Sequence, residues 1–142
     1  FTLITHDMAP ATLADYAGKA LALVTVPSLD TPTCDMETRR FNTEAAKLGA
    51  DVAILTISMD LPFAQKRWCG AAGIDKVQTL SDHRQAAFGL AYGVLIKELR
   101  LLARAIFVVD KAGIITHVQL VPEIGNEPDY AGVLAALAKA AA

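Results

Sequence analysis

Short apolar runs alternate with helical segments along the sequence, which predicts an α/β fold in which a central mixed sheet is flanked by helices. The apolar runs are rich in β-branched residues, as is typical of buried strands. Strands that are separated by helices require parallel crossover connections. Near the C-terminus, the turn sequence DKAG at 110–113 joins two apolar runs without a helix, which predicts one antiparallel hairpin.

Local signals at the ends of the segments justify each predicted element. Proline favours the first turn of a helix, so Pro62 and Pro128 are each predicted to begin a helix. Glycine favours the position after the last turn, so Gly49 is predicted to end the first helix and Gly73 the second. The predicted elements are a strand at 21–26, a helix at 33–48, a strand at 51–58, a helix at 62–73, a strand at 77–80, a helix at 81–91, strands at 103–109 and 114–121, and a helix at 128–139. This order fits a small sandwich of the thioredoxin-like type.

Composition limits the possible classes of protein. The chain has 142 residues, so we expect residues 1–142 to form a single domain. Hydrophobic residues make up 54% of the sequence, but 26 of them are alanines, which favour helices. No stretch reaches the ~18 uncharged apolar residues of a membrane span. With a net charge of −2, the sequence predicts neither a nucleic-acid nor a membrane partner.

One of the two cysteines has an informative setting at the start of the first predicted helix. Thr31 is a suitable N-cap and Pro32 a suitable first helical residue, which puts Cys34 at the third helical position. Free backbone N–H groups and the helix dipole favour a thiolate there. We expect the Thr31 hydroxyl to turn toward the sulfur. The T-x-x-C spacing disfavours both a dithiol exchange enzyme and a CxxC zinc site. The alternative is that Cys34 is a small core residue.

The pattern Pro27, Thr31 and Cys34 resembles the active-site signature of the peroxiredoxin family. The longer segments are similar to the family's bacterial thiol peroxidase branch, the atypical 2-Cys peroxiredoxins. These segments are PSLDTPTC, TRRFN, WCG, SDHR, LLARAIFVVD and EPDY, and together they extend over nearly the whole chain. Members of the family normally begin with an extra N-terminal β-hairpin, which we expect to be missing here.

The resemblance implies a role for each of five residues. Cys34 would be the peroxidatic cysteine that forms a sulfenic acid, with Thr31 hydrogen-bonded to its sulfur and to the peroxide. Pro27 would shield the pocket from water, and Arg104 would stabilise the thiolate and polarise the peroxide. Cys69 would be the resolving cysteine that forms an intramolecular disulfide with Cys34.

The resemblance also implies partners and a location. The substrates would be hydrogen peroxide and alkyl or lipid hydroperoxides, and thioredoxin would reduce the disulfide. A homodimer in the bacterial cytoplasm is expected. No metal, haem or flavin is expected, because the thiolate performs the chemistry.

The residues themselves support two of these roles but leave alternatives open. Arg104 begins an otherwise apolar strand, which is costly for a charge without an anionic partner; that partner would be a thiolate or a carboxylate. Cys69 lies late in the second predicted helix and could be inert. Cα atoms 4.4–6.8 Å apart are required for a disulfide. Because a helix start and a helix end need not be that close, we predict local unfolding of both cysteine segments during turnover.

Two other functions remain open at this point. A disulfide oxidoreductase of the same fold would exchange thiols without consuming peroxide, and the absence of a second cysteine in the T-x-x-C motif counts against it. A non-catalytic redox sensor would share both cysteines but would lack rapid turnover.

Overall fold

A computed structural model of the protein describes residues 1–123 and 125–142. The strands are β1 Leu3–Thr5, β2 Pro10–Ala11, β3 Ala20–Thr25, β4 Val52–Ser58, β5 Gln78–Ser81, β6 Leu95–Ile96, β7 Leu101–Leu102, β8 Ala105–Val109 and β9 Ile115–Leu120. The helices are α1 Pro32–Ala45, α2 Pro62–Ala72, α3 Ala87–Ala91 and α4 Tyr130–Ala141, and a short 3-10 turn lies at Leu13–Tyr16.

Seven strands form one mixed sheet, as predicted, in the order β2-β1-β5-β4-β3-β8-β9. β3, β4 and β5 run parallel to one another, since α1 and α2 provide the crossovers. β8 and β9 form the predicted antiparallel hairpin, and β8 also pairs antiparallel with β3, so that Thr25 lies opposite Ala105. The carboxyl end of β3 therefore lies beside the start of β8.

The core lies on both faces of the sheet, as the alternation of side chains along β3 shows. Ala20, Ala22 and Val24 pack with buried residues of α1 and α4. Leu21 and Leu23 point to the opposite face, where they pack with residues of α3, β7 and β8. This alternation is what a central strand buried on both faces requires. One face therefore holds α1, with Cys34 in its core.

The predicted helix at 81–91 is wrong in its first half. Ser81 belongs to β5, because it pairs with Ser58 on one side and with Ile4 on the other, and only Ala87–Ala91 is helical. The Asp82 carboxylate accepts the backbone N–H groups of Phe88 and Gly89 at 3.0 and 2.8 Å. Non-local strand pairing thus overrides the local helix signal.

Other helix ends also shift from their predicted places. Helix α1 ends at Ala45 rather than near Gly49. Helix α4 begins after Asp129, whose carboxylate caps the helix by accepting the N–H of Gly132 at 3.1 Å, so Pro128 is not its first residue. Gly73 ends α2 in the left-handed conformation, with φ of 69°, as predicted.

Two short hairpins were not predicted. β1 and β2 pair antiparallel at one edge of the sheet, and β6 and β7 pair antiparallel separately from it. We expected the family's extra N-terminal hairpin to be missing from this chain, and that stays a prediction; β1 and β2 form a hairpin within the first eleven residues. None of the helices within residues 1–123 and 125–142 is both long and apolar enough to cross a membrane.

Candidate active site

Cys34 lies at the predicted position in the first turn of α1. Thr31 is the N-cap and Pro32 the first helical residue, which confirms Cys34 as the third. The side chain of Cys34 is fully buried, and its sulfur is a free thiol. The helix N-terminus therefore directs its partial positive charge toward a sulfur that has no exposed surface.

Arg104 brings its guanidinium to this sulfur from the start of β8. Its Nη2 donates a hydrogen bond to Cys34 Sγ at 3.3 Å. Thr25, at the end of β3, fixes the backbone on both sides of Arg104, since its hydroxyl lies 2.7 Å from the Ala103 carbonyl and 3.3 Å from that of Ala105. The antiparallel pairing of β3 with β8 thus places the cation against the cysteine.

Glu37 is the second partner of Arg104, and the sequence did not reveal this role. Its Oε1 accepts a hydrogen bond from Arg104 Nη1 at 2.9 Å in an ion pair that is almost completely buried. Burial raises the pKa of Glu37 to about 7, although Arg104 offsets part of the effect. The spacing of Glu37 from Phe41 on the buried face of α1 was the available signal for this role.

Burial and ion pairing act in opposite directions on Arg104. Burial alone would lower the pKa of its guanidinium, but the charges and hydrogen bonds of Cys34 and Glu37 outweigh burial and raise it. The side chain is 2% exposed. Both side chains suggested as partners of Arg104, the cysteine and a carboxylate, contact it at once, and the guanidinium is a permanent cation beside the sulfur.

Thr31 is close to Cys34 in the chain, but its hydroxyl is not turned toward the sulfur as expected. Its Oγ1 donates to the Ser28 carbonyl at 2.8 Å. The same loop is held by Asp60, whose carboxylate accepts the Ser28 hydroxyl at 2.7 Å and the Leu29 N–H at 2.9 Å. The Thr31 proton is therefore committed to the loop, which leaves its oxygen lone pairs as acceptors.

Asp60 is another residue that sequence reasoning missed. It follows β4 at the carboxyl edge of the sheet, next to the end of β3, where sites in open α/β sheets lie. It also accepts the Ser58 hydroxyl at 2.8 Å. Through its bonds to Ser28 and Leu29, Asp60 fixes the loop that carries Pro27. Pro27 is buried. Val26 and Leu29 pack in the same core cluster as Cys34.

Cys69 lies three residues before the end of α2, as predicted, and has a different environment. Its sulfur is a free thiol 3.5 Å from the Thr79 hydroxyl of β5. Burial raises the pKa of the Cys69 thiol, and the Thr79 hydrogen bond lowers it only in part. This thiol is therefore held in its protonated form.

The arrangement supports thiol chemistry. Within the described residues, no group of three or more His, Cys, Asp or Glu side chains could hold a metal ion. A buried sulfur that faces a helix N-terminus and a guanidinium is suited to act as a thiolate nucleophile. The guanidinium is also placed to stabilise negative charge that develops on an oxygen expelled when this sulfur attacks.

Known proteins share both the sequence and the structure. The family model described as Redoxin matches residues 1–134. The thiol peroxidase of Oceanobacillus iheyensis is 58% identical over 139 residues, which cover 98% of this chain and 84% of the relative. The thiol peroxidase of Bacillus subtilis is 58% identical over 130 residues, which cover 92% and 77%. A crystal structure of a peroxiredoxin-like protein from Aquifex aeolicus has a TM-score of 0.91 and 40% identity, covering 98% of this chain and 82% of that one.

The chain therefore belongs to the redoxin family, and its thioredoxin-like fold is confirmed by the Aquifex structure. Its relatives confirm the more particular prediction from the sequence, a thiol-dependent peroxidase of the peroxiredoxin type.

Proposed function

We propose that this single-domain enzyme reduces hydrogen peroxide and alkyl or lipid hydroperoxides through a Cys34 sulfenic acid, which Cys69 resolves as an intramolecular disulfide. The observation that carries the proposal is the hydrogen bond of 3.3 Å from Arg104 to Cys34 Sγ at a helix N-terminus. Thioredoxin is the proposed reductant, by analogy with the family. A homodimer and a cytoplasmic location stay predictions.

The first step is an attack by the Cys34 thiolate on one peroxide oxygen. A sulfur–oxygen bond forms, the O–O bond breaks, and the sulfur is oxidised to a sulfenic acid. The other oxygen leaves as an alkoxide or hydroxide and takes up a proton to become an alcohol or water. Arg104 stabilises the negative charge of the thiolate and of the leaving oxygen. The lone pairs of Thr31 Oγ1 are available to accept a hydrogen bond from the peroxide O–H, since the Thr31 hydroxyl itself donates to the Ser28 carbonyl.

Pro27 has a protective role in this proposal. It is buried in the loop that leads from β3 to α1, and with its neighbours it keeps water from the sulfenic acid. Because Cys34 has no exposed surface, a hydroperoxide reaches the sulfur only when a covering segment moves. Next to Cys34, the Thr33 hydroxyl donates to the Gly125 carbonyl at 3.2 Å.

The second step converts the sulfenic acid into a disulfide, which is the form that the reductant acts on. The Cys69 sulfur attacks the sulfur of the Cys34 sulfenic acid, so that an S–S bond forms and the S–O bond breaks. The hydroxyl leaves with the Cys69 proton as water. A dithiol reductant such as thioredoxin then reduces the disulfide by thiol exchange.

The test is NADPH consumption with thioredoxin, thioredoxin reductase and cumene hydroperoxide. The wild type should turn over and Cys34→Ser should not, because it lacks the nucleophile. Cys69→Ser should consume one equivalent of peroxide and then recycle poorly. Hydroperoxide reduction that persists in Cys34→Ser would contradict the proposal. Thiol exchange by the wild type without peroxide consumption would instead indicate a disulfide oxidoreductase, and a single turnover would indicate a redox sensor.

A further inference from the structure

The residue after Cys34 and the residue before Cys69 contact each other, and a third side chain contacts both. Asp35 Oδ2 accepts the indole N–H of Trp68 at 2.9 Å, and its Oδ1 accepts the Nε–H of Arg39 at 2.5 Å. The Arg39 guanidinium lies over the Trp68 ring, 5.7 Å from its centroid. Each of the three thus contacts the other two, and we call them the α1–α2 clasp.

The clasp connects the first turns of α1 to the last turns of α2. Arg39 adds a contact of 3.5 Å from Nη1 to the carbonyl of Ala72, the last residue of α2. Beyond Gly73, a separate bond network holds the chain, since Asn42 Oδ1 accepts the N–H groups of Lys76 and Val77 at 2.7 and 3.0 Å. The Asn42 anchor stays in place if the clasp opens, so the opening is limited to α2.

The contacts of the clasp are charged and only partly covered by the protein. The hydrogen bond from Arg39 is the main cause of the lowered pKa of Asp35, and the bond from Trp68 acts in the same direction. A hydrogen bond from an indole N–H to an ionised carboxylate is stronger than a hydrogen bond between neutral groups. The side chains of Arg39 and Asp35 are 50% and 35% exposed, so the clasp can open to water without leaving a buried charge unpaired.

Formation of the disulfide requires that these segments move. Cys34 Sγ is held by Arg104 at 3.3 Å, and Cys69 Sγ is next to Thr79 at 3.5 Å. Each thiol is thus directed to a different partner. Cys69 must leave Thr79 before its sulfur bonds to that of Cys34, and it lies in the α2 turn that the clasp holds.

We propose that the α1–α2 clasp controls how fast Cys69 resolves the Cys34 sulfenic acid, because the last turn of α2 opens only when the clasp releases it. The inference rests on the roles given to the two cysteines in the proposed function. Asp35, Arg39 and Trp68 act as positioning residues, and none of them touches the reacting atoms. A tight clasp prolongs the life of the sulfenic acid, which exposes it to a second peroxide and to oxidation to sulfinic acid.

The experiment uses Trp68→Phe, which keeps the ring but removes the N–H donor, and Arg39→Ala. The matched control is Arg40→Ala, since Arg40 is the next residue of the same helix but its guanidinium lies over Tyr130 at 4.3 Å, away from α2. Reduced protein is mixed with one equivalent of peroxide, quenched at successive times, and analysed by mass spectrometry for sulfenic acid and for the Cys34–Cys69 disulfide. Loss of the partly exposed hydrogen bond to Asp35 predicts ~5-fold faster disulfide formation in Trp68→Phe. Arg39→Ala should be accelerated at least as much, because it also loses the contacts with the Trp68 ring and the Ala72 carbonyl.

The rate of sulfenic acid formation should be the same in Trp68→Phe as in the wild type, because no charge changes. Arg40→Ala should match the wild type in disulfide formation, and Arg39→Lys, which keeps the cation, should recover part of the slow rate. Amide hydrogen exchange should accelerate in residues 68–72 of Trp68→Phe while the other helices stay unchanged, which a general loss of stability would not produce.

Disulfide formation at the wild-type rate, or more slowly, in a folded Trp68→Phe would overturn the inference, since the clasp would then be neutral or would guide Cys69. Should Arg39→Ala not fold, Trp68→Phe alone decides. A different failure would appear if the wild type itself formed no Cys34–Cys69 disulfide. The role of Cys69 in the proposed function would then be wrong, whatever the clasp does.

Discussion

The two cysteines have the same side chain, but Cys34 has a charged partner and Cys69 a neutral one. Cys34 begins a helix and receives a hydrogen bond from the Arg104 guanidinium at 3.3 Å. Cys69 is near the end of a helix, and the neutral hydroxyl of Thr79 lies 3.5 Å from its sulfur. Burial raises the pKa of Cys69, whereas the burial of Cys34 is accompanied by a buried cation.

The difference shows that burial alone does not decide the reactivity of a thiol. Both sulfurs are nearly inaccessible, since Cys34 is 0% and Cys69 6% exposed. A permanent positive charge and a helix N-terminus lie beside Cys34. Cys69 has neither, and burial raises the pKa of its thiol. In the proposed function, electrostatics therefore activates Cys34 as the nucleophile, and a conformational change releases Cys69 as the resolving cysteine.

The largest expected effect comes from removing the cation. Arg104→Gln should lower the rate of sulfenic acid formation by ~10²–10³-fold, the range for loss of a donor to a developing negative charge. The substitution makes Cys34 resemble Cys69. The rate is measured by competition for hydrogen peroxide with a peroxidase of known rate.

A control is needed because Arg104→Gln leaves Glu37 as an unpaired buried carboxylate, which is destabilising by itself. The double variant Arg104→Gln/Glu37→Gln removes both charges and should remain folded and slow. Circular dichroism confirms the fold in each case. If the double variant reacted within threefold of the wild type, the guanidinium would have no role in the first step.

A smaller effect is expected in the pH dependence of stability. Among the groups around Cys34, Glu37 should make the largest contribution to it. Its pKa rises from 4.5 to about 7 because burial disfavours the charged form. The folded state therefore prefers protonated Glu37, so its stabilising contribution is full below about pH 4.5 and is lost as pH rises to about 7. The loss is ~3 kcal/mol or less, since one pKa unit corresponds to about 1.4 kcal/mol.

Urea unfolding of reduced wild type and Glu37→Gln between pH 5 and pH 8 measures this contribution. The glutamine resembles the protonated acid and does not titrate. The free energy of unfolding of the wild type relative to Glu37→Gln should fall as pH rises to about 7 and then level off. A difference that is constant or increases over this interval would show that the ion pair with Arg104 outweighs burial.

Local sequence was sufficient to predict the setting of Cys34. The N-cap, the first-turn proline and the third helical position depend only on neighbouring residues, and all three are confirmed. The cost of burying a cation in an apolar segment was sufficient to single out Arg104. The alternation of strands and helices likewise predicted the central parallel strands and the final hairpin.

Features that depend on residues far apart in the chain were not predictable. Glu37 and Arg104 are 67 positions apart, and the packing of α1 on the sheet together with the pairing of β3 with β8 brings them together. Ser81 is part of a strand because it pairs with Ile4 and Ser58, although the residues after it predict a helix. Nothing in the sequence neighbourhood of Trp68 indicates that its indole N–H binds the Asp35 carboxylate on another helix.

The contrast between the two cysteines is tested most directly by identifying the one that peroxide oxidises first. Cys69→Ser and Cys34→Ser are each treated with one equivalent of hydrogen peroxide in the presence of dimedone, which traps sulfenic acids, and the adducts are quantified by mass spectrometry. We predict a nearly complete adduct on Cys34 in the first variant and almost none on Cys69 in the second. Equal labelling of the two cysteines, or preferential labelling of Cys69, would contradict the account.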